Sequence, residues 1–321
     1  MVRPAAGSAT GRRNPRPVAY EALKQVMQNC SQTESPTSAS GKNESGRTAV
    51  AAAADASLDA LRQAYDDGRL ILFAGAGVSA GLGLPTGPQL AAEMARHLRE
   101  DPRTFCDYGD VRALAEYYRL RRGIGPLHEW MQREWHRSEI DIRQSEIHRL
   151  IVQGRFHSIY TTNFDRWLEA AHDAYGKPYV KISNVKDLAR PVNGARRIVK
   201  FHGDLDDADS MVLDETSYFE RLGLESPLDI RLRADLLVHP VLFIGYSISD
   251  INIRLLFWKL AKAWSGYRAA DERPPSYIVW HQDNPVANAV LAQWGIQVIA
   301  RHDDDPGNAL LRFMRELATG G

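Results

Sequence analysis

Short apolar runs, each closed by a cluster of Gly, Ser, Asn or Asp, recur along the chain and alternate with segments whose apolar positions keep helical spacing. The stretches Leu70 to Ala74, Phe156 to Tyr160, Arg197 to Phe201, Val241 to Ile244, Ser276 to Trp280 and Gly295 to Ile299 read as strands, being too short for helices and rich in residues that suit a pleated surface. Leu58, Leu61 and Tyr65 line a helix leading into the first of them. The stretches Gln89 to Glu100, Phe164 to Ala174, Ile251 to Trp264 and Asn308 to Leu317 read as further helices. Residues 104–152 also keep helical spacing but are dense in Arg, Tyr and Trp, including Tyr117, Tyr118, Trp130 and Trp135, and predict a small helical subdomain between the first two strands. Strands alternating with helices predict an α/β fold: a Rossmann-like, doubly wound and mainly parallel sheet covered on both faces.

Ahead of this pattern the chain changes character. Residues 1–56 are rich in Ser, Gly, Pro and Asn to about Thr48 and read as a largely disordered tail. Within it Tyr20, Leu23, Met27 and Cys30 recur at the spacing of a short helix that would dock on the domain, a partner subunit or a second copy. Arg12, Arg13 and Arg16 make its start basic, but no apolar stretch of the kind a secretory signal needs follows them. Residues 57–321 are then expected to form one globular domain with the helical insertion at about 104–152.

Composition adds mainly exclusions. With 44% hydrophobic and 25% charged residues the chain has an ordinary globular balance. Its 40 basic and 40 acidic residues cancel, so no overall field draws it to nucleic acid or to a membrane surface. Cys30 and Cys106, its two cysteines, supply neither a disulfide framework nor a four-thiolate zinc site. No apolar run is long enough to span a bilayer, and a cytoplasmic address is expected.

Candidate chemistry sits where strands end. From Ile71 to Thr86 the chain reads I-L-F-A-G-A-G-V-S-A-G-L-G-L-P-T, a strand running into a glycine-rich turn. Gly75 and Gly77 allow a tight turn and close approach of a ligand, and amides at the start of a following helix would favour a phosphate. G-A-G-V-S-A fits a dinucleotide fingerprint, although the same glycines serve plain strand-to-helix turns. A dehydrogenase would also need a ribose-binding acid about 20 residues on, and Glu93 and Asp101 fall in or after a helix. Three more polar motifs follow predicted strands: T-T-N-F-D at Thr161 to Asp165, F-H-G-D at Phe201 to Asp204, and G-Y-S-I-S-D at Gly245 to Asp250. In an open α/β sheet such motifs converge on a crevice at the carboxyl ends of the strands.

This ordered set resembles the sirtuin family, whose pattern is a G-A-G-x-S turn, a T-x-N-x-D segment, a His-Gly pair and a late G-x-S turn. They stand here at Gly75 to Ser79, Thr161 to Asp165, His202-Gly203 and Gly245 to Ser247, and the resemblance spans roughly residues 70 to 300. It implies NAD as substrate. The departures narrow it: the paired C-x-x-C zinc ribbon of protein deacylases is absent, no F-G-E segment precedes the last turn, Thr162 stands for the usual glutamine, and Thr86-Gly87 replaces an aromatic-arginine pair. These features are similar to a bacterial, zinc-less branch whose domains act as NAD hydrolases in antiphage defence, often within longer chains or beside a partner subunit. The resemblance implies an NAD glycohydrolase releasing nicotinamide and ADP-ribose, held in check by homo-oligomerisation, a lid or a partner such as an ATPase or nuclease. A deacylase or ADP-ribosyltransferase using the same cofactor is the alternative enzyme, and a sensor of NAD or ADP-ribose the non-enzymatic one.

Each motif residue takes an expected task. Asn163 would orient the nicotinamide ribose or the attacking water, since a carboxamide both donates and accepts hydrogen bonds; its local alternative is capping the helix that follows. His202 is the expected general base. Gly75, Ala76, Gly77, Ser79, Thr162 and Asp165 would line the nicotinamide and phosphate side, and Gly245, Tyr246 and Ser247 the adenosine side. Asp204 reads as an Asx turn, and Asp250 and Asn252 as the start of a helix. Asp283 and Asn284 lie where the family contacts the adenosine ribose and are not assigned to the site.

Overall fold

β1 (Ile71–Ala74) lies at the centre of a seven-stranded sheet ordered β3-β4-β2-β1-β5-β6-β7 in the computed structural model, which describes residues 56–265 and 273–320. The others are β2 (Ser158–Thr161), β3 (Tyr179–Ile182), β4 (Arg196–Lys200), β5 (Val241–Ile244), β6 (Ser276–Trp280) and β7 (Ile296–Ala300). Every pairing is parallel. All four residues of β1, β2 and β5 are buried, which is why these strands are readable as short apolar runs. The predicted strands are present within one or two residues. β3 was not predicted: it is an edge strand, only half-buried for three of its four residues, and Y-V-K-I makes no continuous apolar run.

The two faces of the sheet follow the period-two alternation of its strands. Leu72, Ala74, Ile159, Ile198, Leu242 and Ile244 pack with Leu61, Ile151, Phe313 and Leu317 on one side. Ile71, Phe73, Tyr160, Val199 and Phe243 pack with Leu232, Ile253 and Phe257 on the other. A third core belongs to the helical insertion and joins Leu90, Met94, Phe105, Leu114, Tyr118, Leu127 and Met131 to Phe164, Leu205 and Leu213 from the loops after β2 and β4. The helix Gly87–Leu98 therefore packs with this insertion, whereas Leu150 and Ile151 of the helix Glu146–Gln153 belong beneath the sheet. Tyr118 is a core residue of the insertion, whereas Tyr117 is exposed.

The tail over residues 1–55, with its Tyr20–Cys30 stripe, lies outside the described residues; residues 56–66 are helical, as Leu58, Leu61 and Tyr65 predict. From β1 the chain moves to β2, β3 and β4 on one flank, then returns to β5 on the other. The turns leaving β1 and β5 thus meet at the reversal of strand order, where open α/β sheets form a binding crevice.

Candidate active site

The turns after β1 and β5 are laced together through their backbones. Gly75 N–H donates to Ile244 O and Gly77 N–H to Gly245 O, both at 2.9 Å. A Cβ on Gly77 would stand 2.7 Å from Gly245 Cα, and one on Gly245, whose φ is +57°, would stand 2.6 Å from Val78 N. These glycines are thus required by the contact between two turns. Ala76–Val78 and Ala80–Leu82 are single 3₁₀ turns, and the α-helix expected over Gln89 to Glu100 starts at Gly87 behind a Thr86–Gln89 capping box. Gly81, Gly83 and Pro85 are poor interior helix residues and postpone it.

β2 carries Asn163. Thr161 Oγ1 donates to Ala74 O at 2.8 Å and accepts Asn163 N–H at 3.0 Å, while Asn163 Nδ2 donates to Gly75 O at 3.1 Å. Asn163 is not the helix cap, because the helix begins only at Trp167; it is Asp165 Oδ1 that accepts Trp167 N–H, at 3.1 Å. Behind this loop stands Lys200, fully buried at the end of β4. Its Nζ donates to Phe164 O at 3.3 Å and to Asp165 O, and lies 3.4 Å from Glu169 Oε1 and 3.6 Å from Asp204 Oδ2. Burial pushes the Glu169 carboxyl upward, against the pull of Lys200.

His202 follows β4 and is 2% exposed. Burial depresses its pKa to about 4, with Asp250 opposing and Arg221 reinforcing the shift, so the imidazole is neutral near pH 7. Its Nε2 lies 3.5 Å from Asp250 Oδ2 and has no hydrogen-bond partner. Gly203, at φ +90°, turns the chain where a Cβ would collide with the Ser210 carbonyl. Asp204 makes the Asx turn expected of it, accepting Asp206 N–H at 2.7 Å.

After β5, the Tyr246 hydroxyl is buried without a partner, and burial holds the phenol well above its ordinary range. Ser247 is exposed, with Oγ 2.8 Å from Ser249 Oγ. Between them Ile248 adopts φ +49°, a rare conformation for a β-branched residue, with its side chain anchored in the core. Asp250 caps the helix Ile251–Trp264 as predicted.

These turns enclose three adjoining compartments of about 430, 480 and 640 Å³. The first is lined by Asn163, Asp165, Gly77, Ser79, Leu90 and Trp135 among others. The second contains His202, Tyr218, Arg112 and Asp250, and shares Ala76, Thr162 and Phe164 with the first. The third shares Gly245, Tyr246 and Ser247 with the second and extends to Trp280, Asp283 and Asn284. Every predicted site residue but one therefore lines a single crevice. Gly75 is the exception: it sits behind the lining, and its carbonyl holds Asn163. Asn163 and His202 occupy neighbouring compartments. Tyr218 and Arg112 escaped sequence reasoning because they come from helices without a motif, and Asp250 because its capping role accounted for it.

Among the described residues, no group of three or more His, Cys, Asp or Glu is placed to hold a metal ion, and no helix is long and apolar enough to cross a membrane.

The SIR2-like domain family matches residues 157–299. NAD(+) hydrolase ThsA of Enterococcus faecium is 32% identical over 197 residues, covering 60% of this chain and 40% of its own length. Defense-associated sirtuin 2 of Bacillus subtilis is 24% identical over 250 residues, 74% of this chain and 24% of its own. A solved structure described as the structural basis of sirtuin substrate affinity aligns at a TM-score of 0.37 and 13% identity, over 78% of this chain and 93% of that one. The chain thus spans about 40% of the first of these curated relatives. The match runs from the start of β2 into β7 and takes in three of the four motifs that meet in the crevice, so over this stretch the chain is similar to the SIR2-like domain family.

Proposed function

We propose that the domain is an NAD glycohydrolase, splitting NAD into nicotinamide and ADP-ribose. The observation that carries this reading is the placement of Asn163 and His202 in adjoining compartments of one crevice, at the carboxyl ends of β2 and β4. The name of the ThsA relative supports it. The orphaned Tyr246 hydroxyl is a buried polar atom that a ligand would satisfy.

In the reaction the bond between ribose C1′ and the nicotinamide nitrogen breaks, and its electron pair neutralises the pyridinium, so the leaving group needs no acid. Water forms the new C1′–O bond and gives up one proton, which passes to His202 and then to solvent. Asn163 Nδ2 is engaged by Gly75, which fixes the carboxamide and presents Oδ1 to a ribose hydroxyl or to the water. Thr162 and Asp165 stand on the nicotinamide side. Gly245, Tyr246 and Ser247 lead into the third compartment, which takes the adenosine. Zinc plays no part in this reading.

For the whole protein we propose a regulated toxic effector of bacterial antiphage defence acting in the cytoplasm, restrained by homo-oligomerisation, by the helical insertion as a lid, or by a partner such as an ATPase or nuclease. Unrestrained hydrolysis of NAD would harm the host. A monomer fully active on its own would count against the restraint.

Nicotinamide release from NAD without any acyl peptide tests the catalytic assignment, comparing wild type with folded Asn163→Ala and His202→Ala. Loss of release in both supports it, and release persisting in either removes that residue from the mechanism. Release that depends on an acyl-lysine peptide would make the domain a deacylase, and NAD binding without turnover a sensor.

A further inference from the structure

One carboxylate at the mouth of the second compartment serves two masters. Asp250 Oδ1 accepts Asn252 N–H at 2.9 Å and Ile253 N–H at 3.1 Å, capping the helix Ile251–Trp264. Oδ2 is left for the crevice, where it accepts the Tyr218 hydroxyl at 3.2 Å and faces His202 Nε2 at 3.5 Å. The two amide bonds hold the carboxyl group, so Oδ2 has little freedom to swing away.

We propose that Asp250 is a positioning residue for His202, holding the Nε2–H tautomer and leaving Nδ1 as the atom that takes the proton. This rests on His202 acting as the base in the function proposed above. The other groups around the imidazole leave Asp250 that task. Phe201 stacks on the ring at 5.7 Å and Tyr218 meets it edge-on at 5.3 Å. Arg221 is paired with Asp229 and donates to Phe201 O, so that carboxylate is already neutralised. Arg112 lies 5.4 Å from the Tyr218 ring centroid and is paired with Asp110. Asp250 therefore offers the carboxylate oxygen aimed at the ring. At 3.5 Å the carboxylate is close enough to His202 Nε2 to favour a proton on that nitrogen.

As the C1′–N bond breaks toward nicotinamide and the C1′–O bond to water forms, one water proton moves to Nδ1. The imidazolium so formed keeps its Nε2–H on Asp250 Oδ2, whose charge stabilises it. The Nδ1 proton then returns to solvent.

Asp250→Asn separates the two tasks, because Asn caps a helix about as well as Asp but carries no charge. The variant is expected to keep the wild-type thermal midpoint and the KM for NAD, and to lose about 10²–10⁴-fold in kcat. Nitrogen-15 NMR of the histidine ring is expected to show Nε2–H in wild type and mixed tautomers in Asp250→Asn. Asp250→Ala should lower the midpoint as well. Wild-type kcat in Asp250→Asn, or an Nδ1–H tautomer in the wild type, would overturn the assignment. Should the wild type release no nicotinamide, the glycohydrolase reading fails, and the tautomer still decides whether Asp250 orients His202.

Discussion

Gly77 and Gly245 touch backbone to backbone: the Gly77 N–H donates to the Gly245 carbonyl at 2.9 Å, and no side chain fits between them. This contact joins the turns leaving β1 and β5 and so sets the relative position of Asn163, through Gly75, and of Tyr246. Gly245→Ala combines a left-handed φ with a backbone collision and is expected to cost about 2–4 kcal/mol. Gly77→Ala meets the collision alone and should cost about 1–3 kcal/mol. Gly81, where a Cβ meets nothing within 4 Å, is the control and should tolerate Ala. Urea unfolding of the three variants checks the order.

Lys200 clamps the loop bearing Asn163 to β4 while facing Glu169 and Asp204 in the interior. Removing the ammonium alone strands buried carboxylates, and Lys200→Met is expected to lose about 3–5 kcal/mol. Neutralising Glu169 together with it, as Lys200→Met/Glu169→Gln, should restore part of that loss. Chemical denaturation of both variants provides the comparison, and equal stability of the two would show that the pair is not coupled.

Acid should destabilise the fold through its histidines. Burial depresses His136, His148 and His202 each to about 4 from an ordinary 6.5. Between those values the unfolded chain binds more protons than the folded one, so stability falls as pH drops from about 6.5 toward 4, by up to about 1.4 kcal/mol per pH unit for each histidine. Above 6.5 these groups contribute no slope. Urea midpoints at pH 7.5, 6, 5 and 4.5 measure the effect; a flat midpoint from 7 to 5 would show that the rings are not held neutral.

Asn163 donates to Gly75 O through Nδ2, a bond that a carboxylate cannot make. Asn163→Asp preserves size and reverses that contact to a repulsion between oxygens. Nicotinamide release is expected to fall by about 10²-fold or more as the loop shifts out of position, with a modest change in thermal midpoint, since the residue is only half-buried. A variant retaining wild-type release would mean that the bond to Gly75 has no part in orienting the carboxamide.

By itself the sequence determined the α/β class, six of the seven strands and the motif at the end of each site-bearing strand, because strands buried on both faces must be continuously apolar and their polar ends are punctuated by Gly, Ser, Asn and Asp. It also located ten residues that line the crevice, through the order of four motifs. Tertiary structure decided what local spacing does not encode. The strand order brought β1 beside β5, turning Gly75, Gly77 and Gly245 into a lock between two turns and placing Gly75 behind the lining. Local pattern made Asn163 a plausible helix cap, but its loop is held by Thr161 and Gly75, and the helix waits until Trp167. Asp250 read as a cap and is one, yet its second oxygen reaches His202 and Tyr218, from segments 48 and 32 residues away, as only folding could arrange.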